Sequence, residues 1–234
     1  MKTLNEQQID ELYIFTRQHF VEHFDLQTEL VDHMAHGIEA QWARNEQLTF
    51  EQARDLEFKK FGVFGFMEVV EKRQAALGKK YMRIIWTHFK QYMRLPRVLG
   101  FIAIILGFYY LLAINHEYTH EIIMSLLGIF VVTYIGLLFY QKRQLKKSQQ
   151  QTGKKWLFKE IIFTNGAGWG FFVIPTHLFN VFIIGGHDGY SNWVLFIFSI
   201  VLCSMVLMFY IMCFEITTRA DEYLEETYPE YKLV

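Results

Sequence analysis

His116-Glu117-Tyr118-Thr119-His120 spells H-E-x-x-H. On a helix, two histidines four residues apart share a face and can bind zinc, while the glutamate between them can activate the metal-bound water. A hydrolytic zinc centre takes three protein ligands and leaves one position open. The third ligand would come from His177, His187 or Asp188, which the hydropathy pattern brings to the same level as His116 and His120. This defines a metal site of His116, His120, His187, Asp188 and His177, with zinc as cofactor and Glu117 as general base. Its surroundings argue against it. Glu121 puts a charge directly after the second histidine, and the polar connections at 115–121 and 185–192 are too short to shape a substrate cleft. The leading reading of the chain therefore has no cofactor and no catalytic residue.

The elements that must position these residues follow from the distribution of charge. All 23 Lys and Arg lie before Val98, between Lys142 and Lys159, or after Thr218. The two stretches without them are the apolar ones. Basic residues beside apolar segments stay on the cytoplasmic side during insertion, so the pattern gives a sidedness as well as a membrane location. Each apolar stretch is divided once by a polar connection, giving four expected spans at about 98–114, 122–140, 161–184 and 193–214. An even number of spans puts both termini in the cytoplasm and His116 and His120 on the outer side. The start of the chain lacks the apolar core of a secretory signal. Cys203 and Cys213 are ten residues apart on one expected helix, about 15 Å of rise, too far for a disulfide.

The fold class expected is all-α, a small cytoplasmic helical domain followed by a four-helix transmembrane bundle. Its parts are a prefix domain at 1–78, a basic amphipathic interfacial helix at 79–97, the four-span domain at 98–218 and an acidic cytoplasmic tail at 219–234. In the prefix, Ile9, Leu12, Tyr13, Thr16 and Phe20 form one helical stripe, and Leu26, Leu30, Met34, Gly37, Ile38 and Trp42 form another. Thr49-Phe50-Glu51-Gln52 has the form of a capping box, and Gly62 closes the helix that it opens. A further helix begins near 64–66. Glu29, Asp32, His36 and Glu39, with His33 at the edge, lie opposite the second stripe and read as a solvated face rather than a ligand set.

Glu29-Leu30-Val31-Asp32-His33, Ile38-Glu39, Leu48-Thr49-Phe50-Glu51-Gln52-Ala53 and Phe58-Lys59-Lys60-Phe61-Gly62 together give a pattern over roughly residues 1–75. This pattern resembles the helical prefix domains of the HAAS and permease-prefix type. The resemblance implies a bacterial inner-membrane protein with a regulatory or interaction role beside its membrane part. It carries no catalytic residue with it.

Between Lys79 and Arg97 there are six bases and no acid, with Met82, Ile85, Trp86, Phe89, Tyr92 and Met93 interleaved. Such a helix lies at a lipid interface. Trp86 and Phe89 suit the headgroup region better than base stacking, so no nucleic acid is expected as a partner. In the third span, Gly166 and Gly170 allow close helix packing. With Thr164, Asn165 and Asn180, they also leave a small-ligand transporter or sensor as an alternative. The acidic tail has a basic docking surface available in 142–159 or 79–97. The expected partners are the lipid bilayer and, through residues 1–78, a protein or a second copy of the chain. Function is read as that of a non-enzymatic membrane protein with a partner-binding prefix, the outer-face zinc hydrolase being the rival. The topology makes a direct prediction: reporter fusions after Ser148 and after Asp188 report opposite sides of the membrane. Equal sidedness would overturn it.

Overall fold

The computed structural model describes residues 2–164, 177, 180, 190–228 and 231, and among these the chain is helical throughout, with no strand. Its helices are α1 Glu6–Gln18, α2 Phe24–Arg44, α3 Phe50–Lys59, α4 Met67–Tyr92, α5 Arg97–Ile114, α6 Thr119–Thr152, α7 Leu157–Phe163, α8 Asn192–Tyr210 and α9 Ala220–Thr227. A 3-10 turn, His116–Tyr118, precedes α6, and a π-helical segment, Ile211–Ile216, continues α8. The helices divide into two units. One takes Met1–Lys79, Ser148–Glu160 and Leu224–Val234; the other takes Lys80–Lys147 and Ile161–Tyr223.

In the first unit, the alternation of polar and apolar residues is translated directly into burial. Leu26, Leu30, Met34, Ile38 and Trp42 of α2 are all at most 2% exposed and pack against Leu12 and Phe15 of α1 and Ala53 of α3. Each large side chain so buried contributes roughly 1.5–3 kcal/mol before the entropy of ordering is subtracted. Asn5 and Thr49 both close capping boxes, with Gln8 and Gln52 respectively, which satisfies backbone N–H groups that the first turn leaves free. Phe58, Phe61 and Phe66 meet edge to face or tilted at 4.8–6.4 Å and fix the corner between α3 and α4.

That corner and the one after α1 use left-handed backbone. Gly62 and Gly65 have φ of 79° and 54°, conformations that suit glycine. After α1, Val21 N–H bonds to Thr16 C=O and Phe20 N–H to Arg17 C=O, both at 3.1 Å, which is a Schellman cap. The residue in its left-handed position, φ 64°, is Phe20. The stripe expected to bury Phe20 therefore ends one turn earlier: the helix stops at Gln18, Phe20 is 92% exposed, and Phe15 takes the buried place.

Gly37 matters for a different reason. A Cβ there would lie 2.1 Å from Cδ of Glu57, whose side chain is buried against α2 and paired with Lys60. The missing side chain makes the seat for a buried carboxylate.

In the second unit, α5, α6 and α8–π are long and apolar enough to cross a membrane. They pack through Leu112, Ile123, Leu127, Leu195, Phe198 and Leu202 at one level and Phe130, Tyr134, Met205, Phe209 and Cys213 at another. Their outward positions remain apolar: Ile104, Tyr110, Ile129, Val132, Phe139, Trp193 and Ile197 are all more than half exposed. A row of this kind is unstable in water and natural in lipid. The chain thus has three helices with the character of membrane spans. The third of the four expected spans, 161–184, lies largely outside the described residues. The polar segment expected between spans two and three is helical to Thr152, because α6 runs on past its apolar part.

Two glycine substitutions separate seat from propensity. Helix propensity favours alanine over glycine by about 1 kcal/mol. Gly78→Ala, with nothing within 4 Å of the new methyl, gains up to that amount. Gly37→Ala must unseat Glu57, and its stability falls below that of Gly78→Ala by about 1–3 kcal/mol, measured by thermal unfolding of the full chain.

Candidate functional site

The H-E-x-x-H residues do not share one regular helix. His116 and Glu117 belong to the 3-10 turn, whereas His120 is the second residue of α6. The reason is local. Asn115 closes α5: its Nδ2 donates to Leu111 C=O at 2.7 Å, and it makes no side-chain capping bond to the turn that follows. Thr119 Oγ1 ties the turn together through Leu112 C=O at 3.0 Å and Asn115 C=O at 2.8 Å. His120 Nδ1 lies 2.8 Å from the hydroxyl of Tyr190, with the two rings nearly parallel. Burial, and secondarily the charge of Glu121, raises the pKa of that phenol. Glu117 is exposed, and His177 is helical and exposed; His187 and Asp188 lie outside the described residues. Among the described residues, no three His, Cys, Asp or Glu side chains converge as a metal site would require.

The other histidines of interest also go separate ways. His19 Nδ1 is 2.8 Å from Phe15 C=O, while His23 Nε2 is 3.0 Å from Glu160. Glu29, Asp32, His33 and His36 are exposed, and Glu39 accepts the Leu4 N–H at 3.2 Å. His36 has a raised pKa because its ring bonds to the Asp32 carbonyl and lies beside the Asp32 carboxylate.

Polar chemistry is concentrated instead at two places outside the H-E-x-x-H segment. In the first unit, Asp25 is 5% exposed, an unusual position for a carboxylate. Its Oδ1 accepts the backbone N–H of Leu157 at 3.1 Å, and its Oδ2 accepts the hydroxyl of Tyr228 at 2.5 Å. These partners are 132 and 203 residues away along the chain. Around this carboxylate, Trp156 meets Phe24 and Tyr231 edge to face at 5.4 and 5.1 Å and Tyr228 at a tilt at 5.3 Å. Phe24 N–H bonds to Lys155 C=O at 2.7 Å, and Lys154 Nζ lies 3.9 Å above the Phe24 ring. Burial first, and the charge of Asp25 second, push the Tyr228 phenol well above its usual pKa, so it remains a donor.

Glu22 and Lys155 add a pair at 2.6 Å on the rim. Their mutual hydrogen bond lowers the pKa of Glu22 and raises that of Lys155. With the side chains 67% and 46% exposed, the pair contributes at most about 1 kcal/mol. Its sign is that of a depressed carboxylate: the contribution is complete above the unfolded pKa of Glu22 and disappears as pH falls through the lower folded value. The Asp25 cluster is a fastener, holding the segment after α6 and the end of the chain against α2.

In the second unit, His88 is 4% exposed. Its Nδ1 lies 2.8 Å from Glu215 Oε1 and its Nε2 2.7 Å from the Tyr223 hydroxyl, while Tyr92 donates to Glu215 Oε2 at 3.3 Å. Carboxylate, imidazole and hydroxyl form a row in which the acid fixes the tautomer of the ring. Burial, then the charge of Glu215, raises the pKa of Tyr92. Glu215 is carried by the π-helical segment, whose wider turn disturbs the usual backbone pairing. Gln141, 2% exposed on α6, donates to Cys213 C=O at 2.9 Å, and Thr217 Oγ1 donates to Met212 C=O at 2.9 Å. The buried stripe of α4 here is Tyr81, Ile85 and His88, so Met82 and Trp86, expected on the same apolar face as Ile85, are half-exposed beside it.

A signal for the first cluster was present in the sequence: Tyr228 and Tyr231 are aromatic residues in a largely polar stretch, and Trp156 directly follows two lysines. No family model, curated protein or solved structure matches this chain.

Removing the fastener has graded consequences. Asp25→Ala strands the Tyr228 hydroxyl and the Leu157 N–H and costs about 3 kcal/mol; Asp25→Asn keeps one acceptor and costs less. Hydrogen exchange at the Leu157 amide reads this directly. Protection falls most in Asp25→Ala, and equal protection in all three proteins would show that the carboxylate does not hold the segment.

Proposed function

We propose that this chain is a non-enzymatic integral membrane protein of the bacterial inner membrane, with four spans and both termini cytoplasmic. Its helical unit regulates through contact with a protein partner or a second copy. The observation that carries the reading is the Asp25 fastener. The unit takes in 148–160, the end of α6 and the segment after it, and the chain from Leu224 in α9 onward, with Leu157 and Tyr228 bonded to Asp25. A molecule that binds the unit therefore acts on segments joined directly to the apolar helices, as a regulatory domain must. The resemblance of residues 1–75 to helical prefix domains and the run of bases before Val98 support the same assignment.

Mild-detergent purification tests it, comparing the full chain with Asp25→Ala and with a chain lacking residues 1–78. Co-purifying protein or self-association is expected in the full chain, weakened in Asp25→Ala and lost on deletion. Identical partners and identical oligomeric state in all three would remove the basis of the reading.

A further inference from the structure

Two corners of the first unit carry its most exposed large apolar side chains; Ile14 and Leu56, elsewhere in the unit, are 49% and 42% exposed. Phe20 is 92% exposed at the corner after α1, and Val63, Phe64 and Met67 are 98%, 75% and 62% exposed at the corner between α3 and α4. The two corners border one cleft of about 800 Å³, floored by Phe58, Phe66 and Val70. Chance exposure of one such residue is ordinary, whereas four large ones at adjoining corners form a patch.

The backbone adds a second observation. The left-handed position of a Schellman cap suits glycine, and a bulky aromatic residue at φ 64° is a strained outlier there. The chain carries that strain at the residue whose ring is then directed outward. Gly62 and Gly65 shape the other corner so that Val63 and Phe64 project between them.

The charges around the corners are informative about the occupant. Lys59 and Lys60, the latter paired with buried Glu57, directly precede the apolar run Phe61–Met67, which contains no charge, and exposed Arg17 lies three residues before Phe20. Glu71 lies on the cleft wall, and Glu68 is paired with Lys72. Apolar side chains at projecting tips with bases behind them match the layering of an anionic membrane surface, hydrocarbon beyond and phosphate nearer. The three apolar helices of the chain keep a bilayer at high effective concentration.

The geometry points to a peripheral lipid contact: Phe20, Val63, Phe64 and Met67 enter the interface of an anionic leaflet, with Lys59, Lys60 and Arg17 against its headgroups. This contact is separate from the apolar helices and from the basic segment 79–97, and it does not depend on the partner-binding reading.

Spin labels on single cysteines at positions 20, 64 and 46, in a full chain with Cys203→Ser and Cys213→Ser, test it in vesicles of phosphatidylglycerol with phosphatidylcholine. Labels at 20 and 64 should gain collisions with oxygen and lose collisions with a water-soluble nickel chelate, whereas a label at 46, in place of exposed Glu46, should stay open to nickel. Lys59→Gln with Arg17→Gln should reverse the shift at 64, and so should vesicles of phosphatidylcholine alone. Nickel access at 20 and 64 equal to that at 46 would overturn the inference. So would spin–spin broadening that disappears on dilution with unlabelled chain, because it would put a second copy on the patch. Phe20→Gly provides a control for folding. It relieves the left-handed strain, so thermal stability should hold or rise while the oxygen-rich signal at 64 weakens; a fall in stability would mean that the ring serves packing instead.

Discussion

A carboxylate buried at the start of α2 organises the first unit. Asp25 could be left in water at no cost, and burying it is tolerable only because both oxygens are engaged, one by a backbone N–H and one by a phenol. Each partner belongs to a distant part of the chain. The requirement to satisfy one buried charge thus decides that the segment following α6 and the end of the chain return to the prefix, and the Trp156 ring then fills the space between Phe24, Tyr228 and Tyr231. Without those returning segments, the carboxylate would be an unpaired charge in an apolar setting.

The second unit meets the same demand by other means. In lipid a helix must pair its own backbone groups, and the π-helical turn at Ile211–Ile216 disturbs that pairing at the end of a candidate span. Gln141 donates to a carbonyl of this segment from the neighbouring helix, and the segment carries Glu215, which meets His88. The irregularity and the polar row therefore lie in one arrangement. Both polar clusters use aromatic hydroxyls as donors to carboxylates or partners to imidazole, a role suited to a group that is apolar over most of its surface.

Exposed apolar surface has a different meaning in each unit. On α5, α6 and α8 it is continuous along helices long enough for a bilayer. On the helical prefix it is greatest at two corners, at Phe20 and at Val63, Phe64 and Met67, and the first of these is held in a backbone conformation that glycine would occupy more easily.

The sequence by itself determined what depends on neighbours in the chain. The periodic stripes of α1 and α2, the capping box at Thr49, the glycine after α3 and the apolar helices are all local or repeating signals, because helix geometry fixes which residues share a face. It also set the solvated character of Glu29, Asp32, His33 and His36. Tertiary structure decided the rest. Asp25 looks like any acid in a first helical turn until Leu157 and Tyr228 arrive, and His88 looks like part of a basic interfacial segment until Glu215 and Tyr223 close on it. The H-E-x-x-H spelling shows the converse: its spacing is local, but Asn115 and Thr119 turn the backbone into a 3-10 segment, and His120 is engaged by Tyr190 from far along the chain. Spacing can place two side chains on one face, but the partner that uses them comes from elsewhere in the fold, and no local pattern encodes which distant residue that is.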